Sequence, residues 1–331
     1  MLNIIYTYTI FDNDILEHCA QIVRLNAKQD STDIFYLAES SNCNAQSNDS
    51  IKLSISEITN LFFPSLNITA INKPASHAEM YKYWILQLNR KKRKPKAIVV
   101  TLNLRSFGAT WINSEQESIM QQSIVLLKAY PNIINRFILS INTLEDKTPL
   151  ERKKKMLKVW RTTDLVFPFP FKYKTVREWD DSVAKNRFVI NLDGSYDMRN
   201  TDLACHYIKS YAFNVFENNP RIKDFDDIVE WCDKNNIYLY LNLLAENIEY
   251  ADSLVGKELV FLMRENRDFL MKRYSKNNCN VVDNLELVSG KEFTDQTWTT
   301  EHYGYKGRMI IAKNLATALK KQFENQYIKV Y

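Results

Sequence analysis

The sequence predicts an α/β fold: a three-layer sandwich in which helices cover both faces of a mainly parallel sheet. Three observations carry that expectation. Short aromatic and β-branched runs alternate with longer stretches of helical period. The strongest run, Lys96–Leu102 (KAIVVTL), is almost continuously apolar, as a strand covered on both faces has to be. No stretch of about 18 apolar residues competes as a membrane-spanning helix.

The elements follow in order. Ile34–Leu37 (IFYL) reads as the first strand. The helix SISEITNLFF comes next, with Ser54 and Glu57 at capping-box spacing. Leu66–Ile71 is a second strand, and SHAEMYKYWILQLNRKKRK a helix with Met80, Trp84 and Leu88 at i, i+4 steps. KAIVVTL is the third strand. The helix ESIMQQSIVLLKAY follows, and then INRFILSIN as a further strand. Beyond the middle of the chain, DFDDIVEWCDKNN is a helix, IYLYLNLL a strand, GKELVFLMRENRDFLMKRYSKN a long helix and NVVDN a short strand. The helix within KGRMIIAKNLATALKKQF carries Ile311, Leu315 and Leu319 on one stripe. The expected organisation is one domain with core segments at about 33–143 and 236–325. The less regular 144–235 forms an insertion or cap, where Tyr173, Trp179 and Tyr196 stack on sugar rings or fill the core.

Composition narrows the function classes. A chain of 331 residues, 45% hydrophobic and 25% charged, suits a globular protein with a sizeable core. Its start, MLNIIYTYTI, lacks a basic segment and a small-residue cleavage pattern, so a cytoplasmic location is expected. Five cysteines show no zinc spacing, and Cys43, Cys205, Cys232 and Cys279 read as small hydrophobes. The net charge of +5 concentrates in RKKRKPK (Arg90–Lys96) and ERKKK (Glu151–Lys155). These read as solvated helix ends; a patch for anionic lipid, nucleotide or acidic glycan is the alternative, which leaves peripheral membrane contact open. Neither run interleaves aromatics, so no nucleic-acid partner is expected. The chain has six glycines and no glycine-rich phosphate loop. No cofactor and no metal are expected: Asp193, Asp197 and Asp202 read as solvated turn carboxylates, because no complete oxygen-ligand loop follows them.

In a parallel sheet of this kind, ligands sit beyond the carboxyl ends of the strands. There the sequence places Glu39-Ser40-Ser41, then NKPASH (Asn72–His77), then Asn103 in NLRSF, and finally DQTWTTEHYGYKG before the last helix. Serine needs a base, for which histidine is the usual choice. An amide or backbone N–H can hold an oxyanion, and a carboxylate orients and stabilises the histidine.

These blocks, in this order, resemble the SGNH (GDSL-like) hydrolases, a superfamily with a flavodoxin-like sandwich. Ala38-Glu39-Ser40 matches the Gly-Asp-Ser block, Ala75 or Ser76 the second-block glycine, Asn103 the asparagine block, and TTEHYG the last block with His302. The combination is most similar to the branch found with polysaccharide and cell-wall acyl modification, near the D-alanyl-transfer and alginate acetylation proteins. Thr299 stands where that family has its aspartate, so Asp295, Glu301 or a backbone carbonyl orients the histidine.

The resemblance implies Ser40 as nucleophile, with Ser41 the register alternative. It implies His302 as base, with Asn103 and the N–H groups of Ser41 and Ala75 as oxyanion donors. Arg105 holds an anionic substrate group or makes a structural salt bridge. His77 lines the pocket or competes as the base. The expected activity is ester hydrolysis or acyl transfer on an O-acylated sugar or surface-glycan precursor. The alternative is a glycan-binding or assembly protein on the same fold without catalysis.

Overall fold

The computed structural model describes residues 1–43, 49, 51–88, 92–141, 149–186, 194–195, 198–276 and 278–329. Five parallel strands form one sheet: β1 (Ile34–Ala38), β2 (Ile68–Asn72), β3 (Ala97–Leu102), β4 (Tyr238–Leu243) and β5 (Cys279–Asp283). Their spatial order is β2-β1-β3-β4-β5. The order reverses between β1 and β3, the switch point at which sheets of this kind bind their ligands.

The two-residue period of a strand sorts its side chains between two cores. Phe35, Leu37, Ile98, Val100, Leu239 and Leu241 face one side and pack with the helices Ala20–Lys28, Ala78–Leu86, Pro220–Lys234 and Lys257–Tyr274. Ile34, Tyr36, Ala97, Val99 and Tyr240 face the other side, under the helices Ile55–Leu61 and Tyr305–Lys320. All six residues of β3 are buried, as its unbroken apolar run requires. Ser54 and Glu57 close the anticipated capping box. Ile311, Leu315 and Leu319 are fully buried along one stripe of the last helix.

One expected strand is a helix. INRFILSIN lies largely within the helix Asn132–Ser140, which Pro131 opens. A short apolar run has no decisive period of its own, and here tertiary contacts decide. Asn135 and Leu139, one turn apart, are buried, and the Asn135 amide donates to the Lys128 carbonyl (2.9 Å). The stretch expected as an insertion is mostly helical among its described residues, with helices at Pro149–Thr162, Val176–Asn186, Met198–Tyr211 and Pro220–Lys234 and an irregular loop at 163–175 that Asp164 and Thr175 close by an isolated bridge. Its last helix packs on the sheet through Ile222, Phe225 and Ile228, as the crossover from β3 to β4 must. Tyr173 and Trp179 pack against Phe171, while Asp193, Tyr196 and Asp197 lie outside the described residues. Asp202 is exposed. The basic run at 151–155 is not wholly solvated: Arg152 is buried and donates to the Ser114 carbonyl at 2.9 Å.

No described helix is long and apolar enough to cross a membrane.

Candidate active site

The chain leaves β1 at Glu39 in extended conformation and makes a single 3-10 turn, Ser40–Asn42. The capping residue of that turn is Glu39, whose Oε1 accepts from the Ser41 N–H (3.1 Å). Ser40 is thereby released from a capping role and becomes the first residue of the turn. Asn42 pins the turn in place. Its amide nitrogen donates to Ser56 Oγ and to Asn72 Oδ1, both at 3.0 Å, and its Oδ1 accepts from the Ser56 N–H at 2.8 Å. The Ser41 hydroxyl is buried without a hydrogen-bond partner among the described residues.

The Ser40 hydroxyl is 3.0 Å from His302 Nε2 and 3.0 Å from Glu39 Oε2. The residues of the first pair are 262 positions apart in sequence. His302 is held by the backbone on both sides. Its carbonyl accepts from the Thr294 N–H (2.9 Å), and the Gly304 N–H donates to the Glu292 carbonyl (2.8 Å). The Tyr303 hydroxyl donates to the Ala245 carbonyl beyond β4 (2.8 Å). Gly307 lets the last helix approach this loop, since a Cβ there would come within 2.9 Å of the Tyr303 Cβ. Burial moves the His302 pKa below its ordinary 6.5. The charges of Glu301 and Asp295 oppose that shift, and Arg105 adds to it.

The two candidate acids stand in different surroundings. Glu301 is fully buried, and its carboxylate takes the Nε and Nη2 groups of Arg105 in a two-pronged ion pair. Asp295 accepts from the N–H and hydroxyl of Thr297, both at 3.4 Å, and reaches His302 through its charge. The Thr299 hydroxyl pairs with that of Ser210 (3.1 Å).

Glu246, just beyond β4, was not visible as a site residue in the sequence. It is buried near Arg105 and Glu301 and accepts from the Tyr211 hydroxyl. Burial, reinforced by the charge of Glu301, raises the pKa of both Glu246 and Glu39. Glu39, Glu246 and Glu301 are therefore three buried carboxyl groups, with Glu301 acting by its charge on the other two and Arg105 paired to Glu301. At least part of this set holds protons more readily than carboxyls in water.

Asn103 follows the last residue of β3 and is buried, and neither atom of its side-chain amide has a hydrogen-bond partner among the described residues. Ser40 and Asn103 each lie three residues past the aligned pair Leu37↔Val100, on neighbouring strands at the switch point. Ala75 occupies the third position of the turn Lys73–Ser76, closed by the Ser76 N–H to the Lys73 carbonyl (3.2 Å). With Pro74 second and φ of +60° at Ala75, this is the arrangement of a type II turn. Such a turn favours glycine, so Ala75 keeps a glycine-like backbone at a cost of about 1–2 kcal/mol.

His77 sits apart from the Ser40 pair. It is buried, with Nε2 3.1 Å from Glu117 Oε2 but without the alignment of a hydrogen bond. Burial pushes the Glu117 carboxyl up, but His77 and Arg221 outweigh it and hold the group down at about 2. Donor atoms of His77, Glu79 and Glu117 lie within 4.8 Å of one another, the spacing of a metal site. Arg221 Nη2, 2.7 Å from Glu117 Oε2, already supplies the positive charge a metal would bring. The cluster is a salt-linked strut between helices. The five cysteines are free; four are buried and Cys43 is exposed.

A scan against protein-family models finds no match, and a search of curated proteins finds none either.

Proposed function

We propose that this chain is a serine-dependent acyl-transfer enzyme of the SGNH hydrolase type, acting on an O-acylated sugar or surface-glycan precursor. The observation that carries the reading is the 3.0 Å contact between Ser40 Oγ and His302 Nε2 at the switch point of the sheet. A serine and a histidine from opposite ends of the chain meet where substrates of such folds bind.

Neutral His302 takes the Ser40 proton through Nε2 as Oγ attacks the ester carbonyl. A single hydroxyl proton cannot serve His302 and Glu39 together. The Ser40 hydroxyl that donates to Glu39 Oε2 at rest must therefore turn to His302 Nε2, at the same 3.0 Å, for the proton transfer. The oxyanion is held by the Asn103 amide and the Ala75 N–H. The Ser41 N–H is committed to Glu39. Protonated His302 then returns the proton to the departing alkoxide, and the C–O bond breaks. Water, deprotonated by the same histidine, releases the acid; a sugar hydroxyl in its place completes a transfer.

The test is acyl release from p-nitrophenyl acetate and from acetylated monosaccharides, comparing wild type with Ser40→Ala. Hydrolysis by the wild type alone is the expected result; equal rates in the two proteins defeat the reading. Asn103→Ala should lower kcat by about 10²–10³-fold with little change in KM, because the oxyanion forms only after attack. A proportional rise in KM instead would make Asn103 a ground-state contact.

The pH profile follows from His302. The base must be neutral, and its pKa is depressed, so kcat/KM should rise with pH along a limb below 6.5 and stay level above it. A limb above 6.5 would mean that a different group is the base.

A further inference from the structure

A cavity of about 620 Å³ is walled in part by Arg105, Trp298 and Thr299, the last two on the loop that leads to His302. Arg105 joins the cavity to that loop: its guanidinium lines the cavity and also grips Glu301, the neighbour of His302. Two features of the wall point to the same ligand.

The first is aromatic. Trp111, Trp160 and Trp298 all contribute to the wall. Trp111 lies flat enough to carry the Arg105 guanidinium 5.0 Å from its ring centre. Trp298 has the His206 ring 3.8 Å away and is still 49% exposed. An indole held against a cavity, with much of its area in water, is a platform for the apolar face of a sugar ring.

The second is charge. The wall carries four cations, Arg105, Lys153, Arg177 and Lys209, and one acid, Asp180. Glu301 neutralises Arg105, Asp181 pairs with Arg177 at 2.8 Å, and Asp180 lies 3.7 Å from Lys209. Lys153 has no ion-pair partner among the described residues. Four cations against three carboxylates leave one positive charge, placed on Lys153. Part of the basic run at 151–155 therefore faces a binding cavity, not bulk solvent alone.

We infer that this cavity binds a sugar bearing a single negative charge, a carboxylate or a phosphodiester, with its ring on the tryptophans and its anion at Lys153. The inference rests on the acyl-transfer reading and names its substrate class: the acyl group is removed from, or placed on, a hydroxyl of that anionic sugar at Ser40.

The experiment uses Ser40→Ala, which binds without turnover. Methyl uronides of gluco, galacto and manno configuration, the methyl phosphodiester of glucose and the uncharged methyl glucoside are titrated by calorimetry in 50 mM salt. At least one anionic probe should bind tenfold or more tightly than the glucoside, and whether a uronide or the phosphodiester does so assigns the anion. Lys153→Met in the same background should erase that preference, while Lys153→Arg keeps it. Trp298→Ala should weaken all probes that bind. Equal binding of charged and neutral probes, binding of none, or an unchanged preference in Lys153→Met overturns the inference. Hydrolysis of p-nitrophenyl acetate, too small to need the cavity, separates the two failures. Hydrolysis without anionic-sugar binding removes the inference alone. Anionic-sugar binding without hydrolysis removes the acyl-transfer reading and leaves a glycan-binding protein.

Discussion

His302→Ala is expected to lower kcat/KM for ester hydrolysis by about 10²–10⁴-fold, the range of a lost general base. The fold should barely respond. His302 is only part-buried, and its ring's contact with Ser40 is one hydrogen bond, worth about 1 kcal/mol. The loop around it is held by contacts that the substitution leaves in place: the Thr294 and Gly304 backbone bonds and the Tyr303 hydroxyl on Ala245. A large kinetic loss with a nearly unchanged melting curve is therefore the signature of a base. An unchanged rate would dismiss it. A melting curve that collapses along with the rate would make His302 a structural residue.

Arg105→Ala should have the largest effect on stability, about 3–5 kcal/mol in urea unfolding. The guanidinium is the counter-charge for Glu301, and Glu39 and Glu246 are buried in the same neighbourhood. Removing it leaves Glu301 buried without a cation, the costly outcome of breaking a buried pair on one side. Arg105→Lys should rescue little, because an ammonium cannot make the two-pronged contact. Adding Glu301→Gln to Arg105→Ala should recover part of the loss. No recovery in the double variant would show that the pair matters for packing and not for charge.

The parts of this molecule that were legible in the sequence are those written in local pattern. Five apolar runs became the five strands, because an unbroken run such as Ala97–Leu102 has nowhere to go but the middle of a covered sheet. The capping box at Ser54 needed only its own four residues. The meeting of Ser40 and His302 was legible because one follows a strand and the other precedes the last helix, and a parallel sheet gathers such loops at one end.

What failed was decided at a distance. INRFILSIN is helical because Asn135 and Leu139 face inward one turn apart, which the run's composition does not reveal. Residues 2–28 form three helices that the expected order of elements leaves out. The Arg105–Glu301 pair spans 196 residues, and no spacing rule links its members. Glu246 lies in a plain LLAEN stretch, marked only by its position beyond β4. Glu39 had been read only as a stand-in for a family aspartate. Its place as cap of the turn and neighbour of the Ser40 hydroxyl emerged only when the 3-10 turn was in view.

The measurement that bears most directly on the central claim is covalent labelling by a fluorophosphonate, with the modified residue located by mass spectrometry. A hydroxyl activated by His302 should take up one probe per chain at Ser40, and Ser40→Ala should take up none. A folded wild-type protein that stays unlabelled, or one labelled at Ser41 in place of Ser40, would contradict the account.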